Sequence, residues 1–201
     1  MSILDILQGQ LSGNNLRQMS EAVGTDEKTT NAAIAAALPT LLGALARNSA
    51  EPRGAESLHN ALNKDHDGSI FDNLGSLLGG GGNSGPGAAI LGHIFGGRQN
   101  RVENGLSQTT GIDKGSMTKL MVMLAPMVLG ALGKQQREKK LDASGLAGLL
   151  GQERQKVETH APNEMGFLNK LLDTDGDGDV DMADLASKGM GLLGGLLGGK
   201  R

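Results

Sequence analysis

With 201 residues, the chain has room for one or two small domains. A net charge of −3 excludes the strongly basic balance of a dedicated nucleic-acid binder, and the absence of cysteine excludes disulfides and thiolate metal sites. Trp and Tyr are also absent, so the core must be assembled mainly from Leu, Ala and Met, with Phe71, Phe95 and Phe167 as the only aromatics.

Leu and Ala are strong helix formers, and no run rich in Val, Ile and Thr alternates as a strand would. An all-α fold is predicted. The first residues lack a basic region followed by an apolar stretch, so no secretory leader is expected and a cytoplasmic location is. No uninterrupted apolar run approaches the roughly 20 residues that span a bilayer.

Local signals then place the helices in chain order. Asn15 is suited to cap a short helix with Leu16, Met19 and Val23 on its apolar side, and Gly24 to end it in a left-handed conformation. Thr25 or Asp26 caps a longer helix bearing Ile34, Leu38, Leu41, Leu42 and Leu45, with Pro39 in its middle as a predicted kink. Shorter helices are predicted at residues 55–63, 70–78, 88–95, 102–109, 144–150 and 164–172.

Between the first two of these lies Asn63-Lys64-Asp65-His66-Asp67-Gly68-Ser69-Ile70, which imitates the first eight positions of a calcium loop. Position 12 is Leu74, so the anchoring carboxylate is missing. A polar turn capping the next helix through Asp67 or Ser69 is the preferred reading. Residues 79–87 (GGGGNSGPG) read as a flexible linker.

The second long helix carries Met121, Leu124, Val128, Leu129 and Leu132 around Pro126. The basic run Lys134-Gln135-Gln136-Arg137-Glu138-Lys139-Lys140 follows its expected end as a solvated loop complementing the helix dipole. Residues 152–162, charged and closed by Pro162, read as a separator.

Two features stand above this pattern. The first is a repeat: residues 23–46 (VGTDEKTTNAAIAAALPTLLGALA) align without a gap on residues 110–133 (TGIDKGSMTKLMVMLAPMVLGALG), 87 positions later. Gly24 matches Gly111, Asp26 matches Asp113, and Pro39 matches Pro126. Upstream, Leu7 and Gly9 fall opposite Ile94 and Gly96. Duplication of a kinked-helix unit, with the two long helices crossing about a pseudo-twofold axis, is the inference.

The second is the acidic stretch DTDGDGDVDMAD, where Asp173, Asp175, Asp177 and Asp179 occupy positions 1, 3, 5 and 7 of an EF-hand loop, Asp181 position 9 and Asp184 position 12. Gly178 sits at the sharp turn of position 6 and Val180 at position 8. So many carboxylates repel one another unless a cation lies among them, and Ca2+, which takes six to eight oxygens, suits such a cage. Position 7 ligates through its carbonyl, which makes the Asp179 side chain the most dispensable. Asp184 departs from the usual bidentate glutamate, a spacing that also resembles the loops of dockerin modules.

Beyond it, LASKGMGLLGGLLGGKR places Leu185, Leu192, Leu193, Leu196 and Leu197 near one helical face, interrupted by glycines. Alone this tail should hold little helix; against a partner or a membrane surface it could fold.

The histidines His59, His66, His93 and His160 show no metal-ligand spacing, and there is no GxSxG, HExxH or P-loop with its lysine. Catalysis is therefore not expected.

From Ile90 onward, ILGHIFGGRQNRVENGLSQTTGID followed by KLMVMLAPMVLGALGKQ resembles the DUF937, or YidB-like, family of bacterial proteins, and the likeness extends more loosely over residues 2–151. It implies an all-α, homeodomain-like helical bundle and no established activity. The organisation expected is a first helical repeat unit at 1–78, the linker 79–87, a second unit at 88–151, a separator at 152–162 and a calcium segment at 163–201. The function expected is a non-catalytic helical protein whose loop binds Ca2+ and orders a surface for a protein partner or a second copy. A DNA-associated regulator using the homeodomain-like body is the alternative, though nothing in the charge favours nucleic acid.

Overall fold

The computed structural model describes residues 2–65, 70–71 and 86–160, and among these the regular structure is helical with no strand. The helices are α1 (Ile3–Gln10), α2 (Asn14–Val23), α3 (Glu27–Asn48), α4 (Pro52–Asp65), α5 (Pro86–Phe95), α6 (Gln99–Thr110), α7 (Lys114–Glu138) and α8 (Ala143–His160). The 3-10 turn Gly96–Arg98 joins α5 to α6.

The predicted start and stop signals act where the repeat places them. Gly24 and Gly111 end α2 and α6 at φ 85° and 75°, a left-handed backbone that glycine adopts without strain from a side chain. Their N–H groups donate to the carbonyls of Ser20 and Ser107. Asp26 caps α3 by accepting from the Thr29 N–H at 2.9 Å, and Asp113 caps α7 by accepting from the Ser116 N–H at 3.0 Å. Asn15, expected to cap α2, lies inside that helix instead. Gly13 is the N-cap, and the Asn15 amide donates to the Gln10 carbonyl at 2.8 Å, which ties α2 back to α1.

These caps make stability sensitive to acid. The Thr29 hydroxyl, then its N–H, holds the Asp26 carboxyl below the usual 3.8, and the Ser2 N–H, then its hydroxyl, does the same for Asp5 in the capping box of α1. A carboxyl with a depressed folded pKa contributes stability that is complete above its unfolded pKa and is lost as pH falls through the folded one. Urea melts of the Asp5→Asn/Asp26→Asn double variant, which keeps side-chain caps that cannot titrate, should therefore fall less between about pH 6 and pH 2.5 than those of the parent. Equal slopes would remove the caps from the acid response.

Both long helices run unbroken through their prolines. Each proline deprives the carbonyl four residues earlier of its donor. For Pro39 that carbonyl belongs to exposed Ala35; for Pro126 it belongs to buried Val122. The start of α5 meets the second of these. A Cβ on Gly87 would overlap the Val122 carbonyl oxygen, so only a glycine backbone comes this close. Gly87, assigned by sequence to the linker 79–87, is thus a buried part of α5.

The helices interlock rather than forming two separate halves. α1 packs on α7 and α5 on α3; α4 packs on α7 and α8 on α3; α2 and α6 each touch both long helices. Exchanging the halves maps each of these pairings onto another, as a pseudo-twofold relation between the duplicated units requires. α3 meets α7, and α4 meets α8, across that relation. Residues 1–160 accordingly form one compact unit. α5 breaks the symmetry by packing extensively on α7 as well, to a degree that α1 does not match on α3.

The core is centred on α7, where Leu120, Met121, Leu124, Ala125, Met127, Val128, Ala131 and Leu132 are fully buried. α3 and α7 are long and apolar enough to cross a membrane by length and composition, and most of each apolar stretch is covered by neighbouring helices within the bundle.

One expected boundary is corrected. The separator placed at 152–162 is helical through His160, because α8 continues past Leu150 with Glu153 and Val157 on its buried side. Glu153 accepts from the Ile3 N–H at 3.0 Å and from the Lys156 ammonium at 2.8 Å. Its carboxylate thereby occupies the positive end of α1, where an otherwise free N–H needs a partner. In the sequence, the charge of this segment conceals the stripe.

Candidate functional site

The residues singled out as calcium ligands, Asp173, Asp175, Asp177, Asp179, Asp181 and Asp184, lie outside the described residues, as do the predicted helix at 164–172 and the Leu/Gly tail. Among the described residues, no group of three or more His, Cys, Asp or Glu side chains could hold a metal ion.

The partial loop at residues 63–70 is described in part. Asn63, Lys64 and Asp65 belong to the last turn of α4, and Oδ1 of the Asn63 side chain accepts from the Gln136 side-chain amide of α7 at 2.8 Å. The residue at loop position 1 is therefore engaged in joining two helices. Asp67 and Ser69, the expected caps, lie outside the described residues.

The basic run is corrected as well: α7 extends through Glu138, so Lys134 and Arg137 are exposed helical residues, while Gln135 and Gln136 face the core. Lys139 and Lys140 close the helix, Lys140 with a positive φ of 53°. Cations at this end face the negative pole of the helix.

Two buried carboxylates escaped notice in the sequence, Glu153 and Glu103. The latter accepts from the Gln99 amide and from the Thr118 hydroxyl, both at 2.8 Å, linking α6 to α7. Both carboxylates are hydrogen-bonded to neighbouring elements of the helical body.

One concave feature with the dimensions of a ligand site is a cleft of about 810 Å³. It opens between the C-terminal end of α3, the outer side of α4, and α5 with its following turn; Leu129 of α7 forms part of its lining. The lining is predominantly aliphatic, from Leu45, Leu58, Ile90 and Ile94, with Ser57, His93 and Arg98 supplying polar groups. One wall is fixed by the Asn48 amide, which donates to the Ile94 carbonyl at 2.8 Å. Gly54 keeps α4 close to α3, since a Cβ there would overlap the Asn48 carbonyl oxygen. That carbonyl has no helical donor, because the residue four positions on is Pro52.

His93 is exposed at the cleft and belongs to no group of three or more metal-ligating side chains among the described residues. A sequence signal for the cleft existed in the repeat itself. At the position equivalent to Arg98, the first unit has Leu11, which is buried.

Among protein families, the model described as a bacterial protein of unknown function (DUF937) matches residues 5–135. No curated protein and no solved structure gives a significant match.

Proposed function

Since the chain belongs to DUF937, a bacterial family of unknown function, and carries an acidic loop beyond the family's span, we propose that it is a non-catalytic helical scaffold whose C-terminal loop binds Ca2+. The observation that carries this reading is the register of the loop: oxygen donors at positions 1, 3, 5, 7, 9 and 12, with Gly178 at 6 and Val180 at 8. Metal binding neutralises Asp173, Asp175, Asp177, Asp181 and Asp184, takes the carbonyl of Asp179, and fixes the angle between the segments on either side. Phe167, Leu168, Leu171 and Leu185 then become a surface for a protein partner or a second copy, as in sensor loops.

Calcium titration by calorimetry, with molecular mass followed by light scattering, tests both parts. Saturable binding by the parent and its loss in the Asp173→Ala/Asp184→Ala variant are expected, with a calcium-dependent rise in mass if the surface pairs with itself. Heat that is absent from the parent, or unchanged in the variant, overturns the calcium assignment.

The exposed Lys134, Arg137, Lys139 and Lys140 are the observation behind the alternative of DNA association through a homeodomain-like body. Fluorescence anisotropy with duplex DNA should then show binding that weakens steeply with salt. No binding at low salt removes that reading.

A further inference from the structure

We propose that the two halves of the helical body exchange between copies of the chain, so that residues 2–65 of one chain pair with residues 86–160 of a second, and the reverse. The observation that carries this is where each helix finds its cover. α1 packs on α7, α4 packs on α7 and α8, and α8 packs on α3 and α4. Each of these three helices has its main packing partners in the half to which it does not belong. The hydrogen bonds agree. The Ile3 N–H donates to Glu153, the Asn48 amide to the Ile94 carbonyl, the Ser116 hydroxyl to the Val23 carbonyl and the Gln136 amide to Asn63. All four cross from one half to the other. Neither half closes its core alone, because the buried faces of α3 and α7 are completed by helices of the other half.

Symmetry supplies the partner. The halves are copies of one helical unit, and their pairings map onto one another when the halves are interchanged. A pairing with that property has the form of a twofold dimer interface held within one chain. Two chains that exchange halves reproduce each of these contacts twice over, in a closed pair.

One connection, residues 66–85, joins the halves, and twenty residues reach as far as roughly 70 Å when extended. With no cysteine, no disulfide locks the halves into a single chain. A connection of this kind raises the local concentration of one half about the other to the order of millimolar. The single chain is thus favoured in dilute solution, and the exchanged pair forms when chains refold near that concentration.

The test uses full-length chains in buffer with EDTA, which sets aside any association driven by calcium. Leu42 and Leu124 are both 0% exposed, one in each half. Leu42→Asp and Leu124→Asp each bury an unpaired carboxylate in the half that carries them. Refolded alone, each variant should lose most of the parent's helical circular dichroism. Unfolded together in urea and refolded as a mixture, they should recover about half of the parent's helical signal, since the intact half of one chain meets the intact half of the other. Light scattering should then give the mass of two chains. A mixture no more helical than the average of the two variants alone overturns the proposal. Should either variant fold by itself, the parent decides the matter. Refolded at about 1 mM from a mixture of isotope-labelled and unlabelled chains, it should give a dimer of mixed label that persists after dilution. A parent that is monomeric after refolding at every concentration, or a dimer that dissociates at once on dilution, overturns the proposal as well.

Discussion

Leu124→Ala is expected to lower the stability of the helical unit by roughly 2–5 kcal/mol, the range for truncating a fully buried leucine. Leu124 is 0% exposed in the middle of α7 and is surrounded by residues of the same helix that are themselves wholly buried. Neighbouring Met121 and Met127 are flexible and will recover part of the loss by relaxing into the cavity. The midpoint of thermal unfolding should fall by roughly 4–20 °C for a unit of this size. Leu124→Met, which conserves volume, should cost less than about 1.5 kcal/mol. Urea and thermal transitions followed by circular dichroism measure both, since the absence of Trp and Tyr rules out intrinsic tryptophan fluorescence. A loss below about 1 kcal/mol for Leu124→Ala would mean that α7 is not the centre of the core.

Gly87→Ala should destabilise by roughly 1–3 kcal/mol or more, although it adds a single methyl group and alanine is the better helix former. The added Cβ would overlap the Val122 carbonyl oxygen, a backbone atom that cannot rotate away, and α5 would have to lift from α7. The carbonyl stands there without a helical donor because Pro126 supplies none. This predicts a coupling. In a Gly87→Ala/Pro126→Ala pair the new N–H at position 126 can draw the Val122 carbonyl back toward the helix axis. The double variant should then be less destabilised than the two single losses added together. Gly92→Ala, in the same helix with open space at its Cβ, is the control and should be neutral or slightly stabilising. A Gly87→Ala protein as stable as the parent contradicts the close approach of the two helices.

Several elements are legible in the sequence alone. Gly24 ends α2 in the left-handed conformation that its place predicts, and of the two candidate caps of α3, Thr25 and Asp26, the structure uses Asp26; Gly111 and Asp113, their matches 87 residues later, do the same for α6 and α7. Other readings failed for identifiable reasons. Gly87 lies at the end of a glycine run and was taken as linker, because close helix contact leaves the same residue signature as flexibility. The end of α8 reads as a separator in the sequence because its charges conceal the inward positions of Glu153 and Val157. The cleft was invisible because its lining comes from four helices, and only the substitution of Leu11 by Arg98 across the repeat hinted at it. The acidic stretch from Asp173 to Asp184, whose spacing is that of a calcium loop, lies outside the described residues.

By itself, then, the chain determined its helical class, its helix starts and stops, and its duplication. Caps, glycine turns and the i to i+4 hydrogen bond act within a few residues, so their signals are local. Which helix covers which was decided only by tertiary structure: α1 on α7, α8 on α3, and Glu153 on the first N–H of α1. Those contacts join residues some 90 to 150 positions apart. They depend on complementary shapes and on buried polar groups finding partners, and neither condition is written in the residues near either end of a contact.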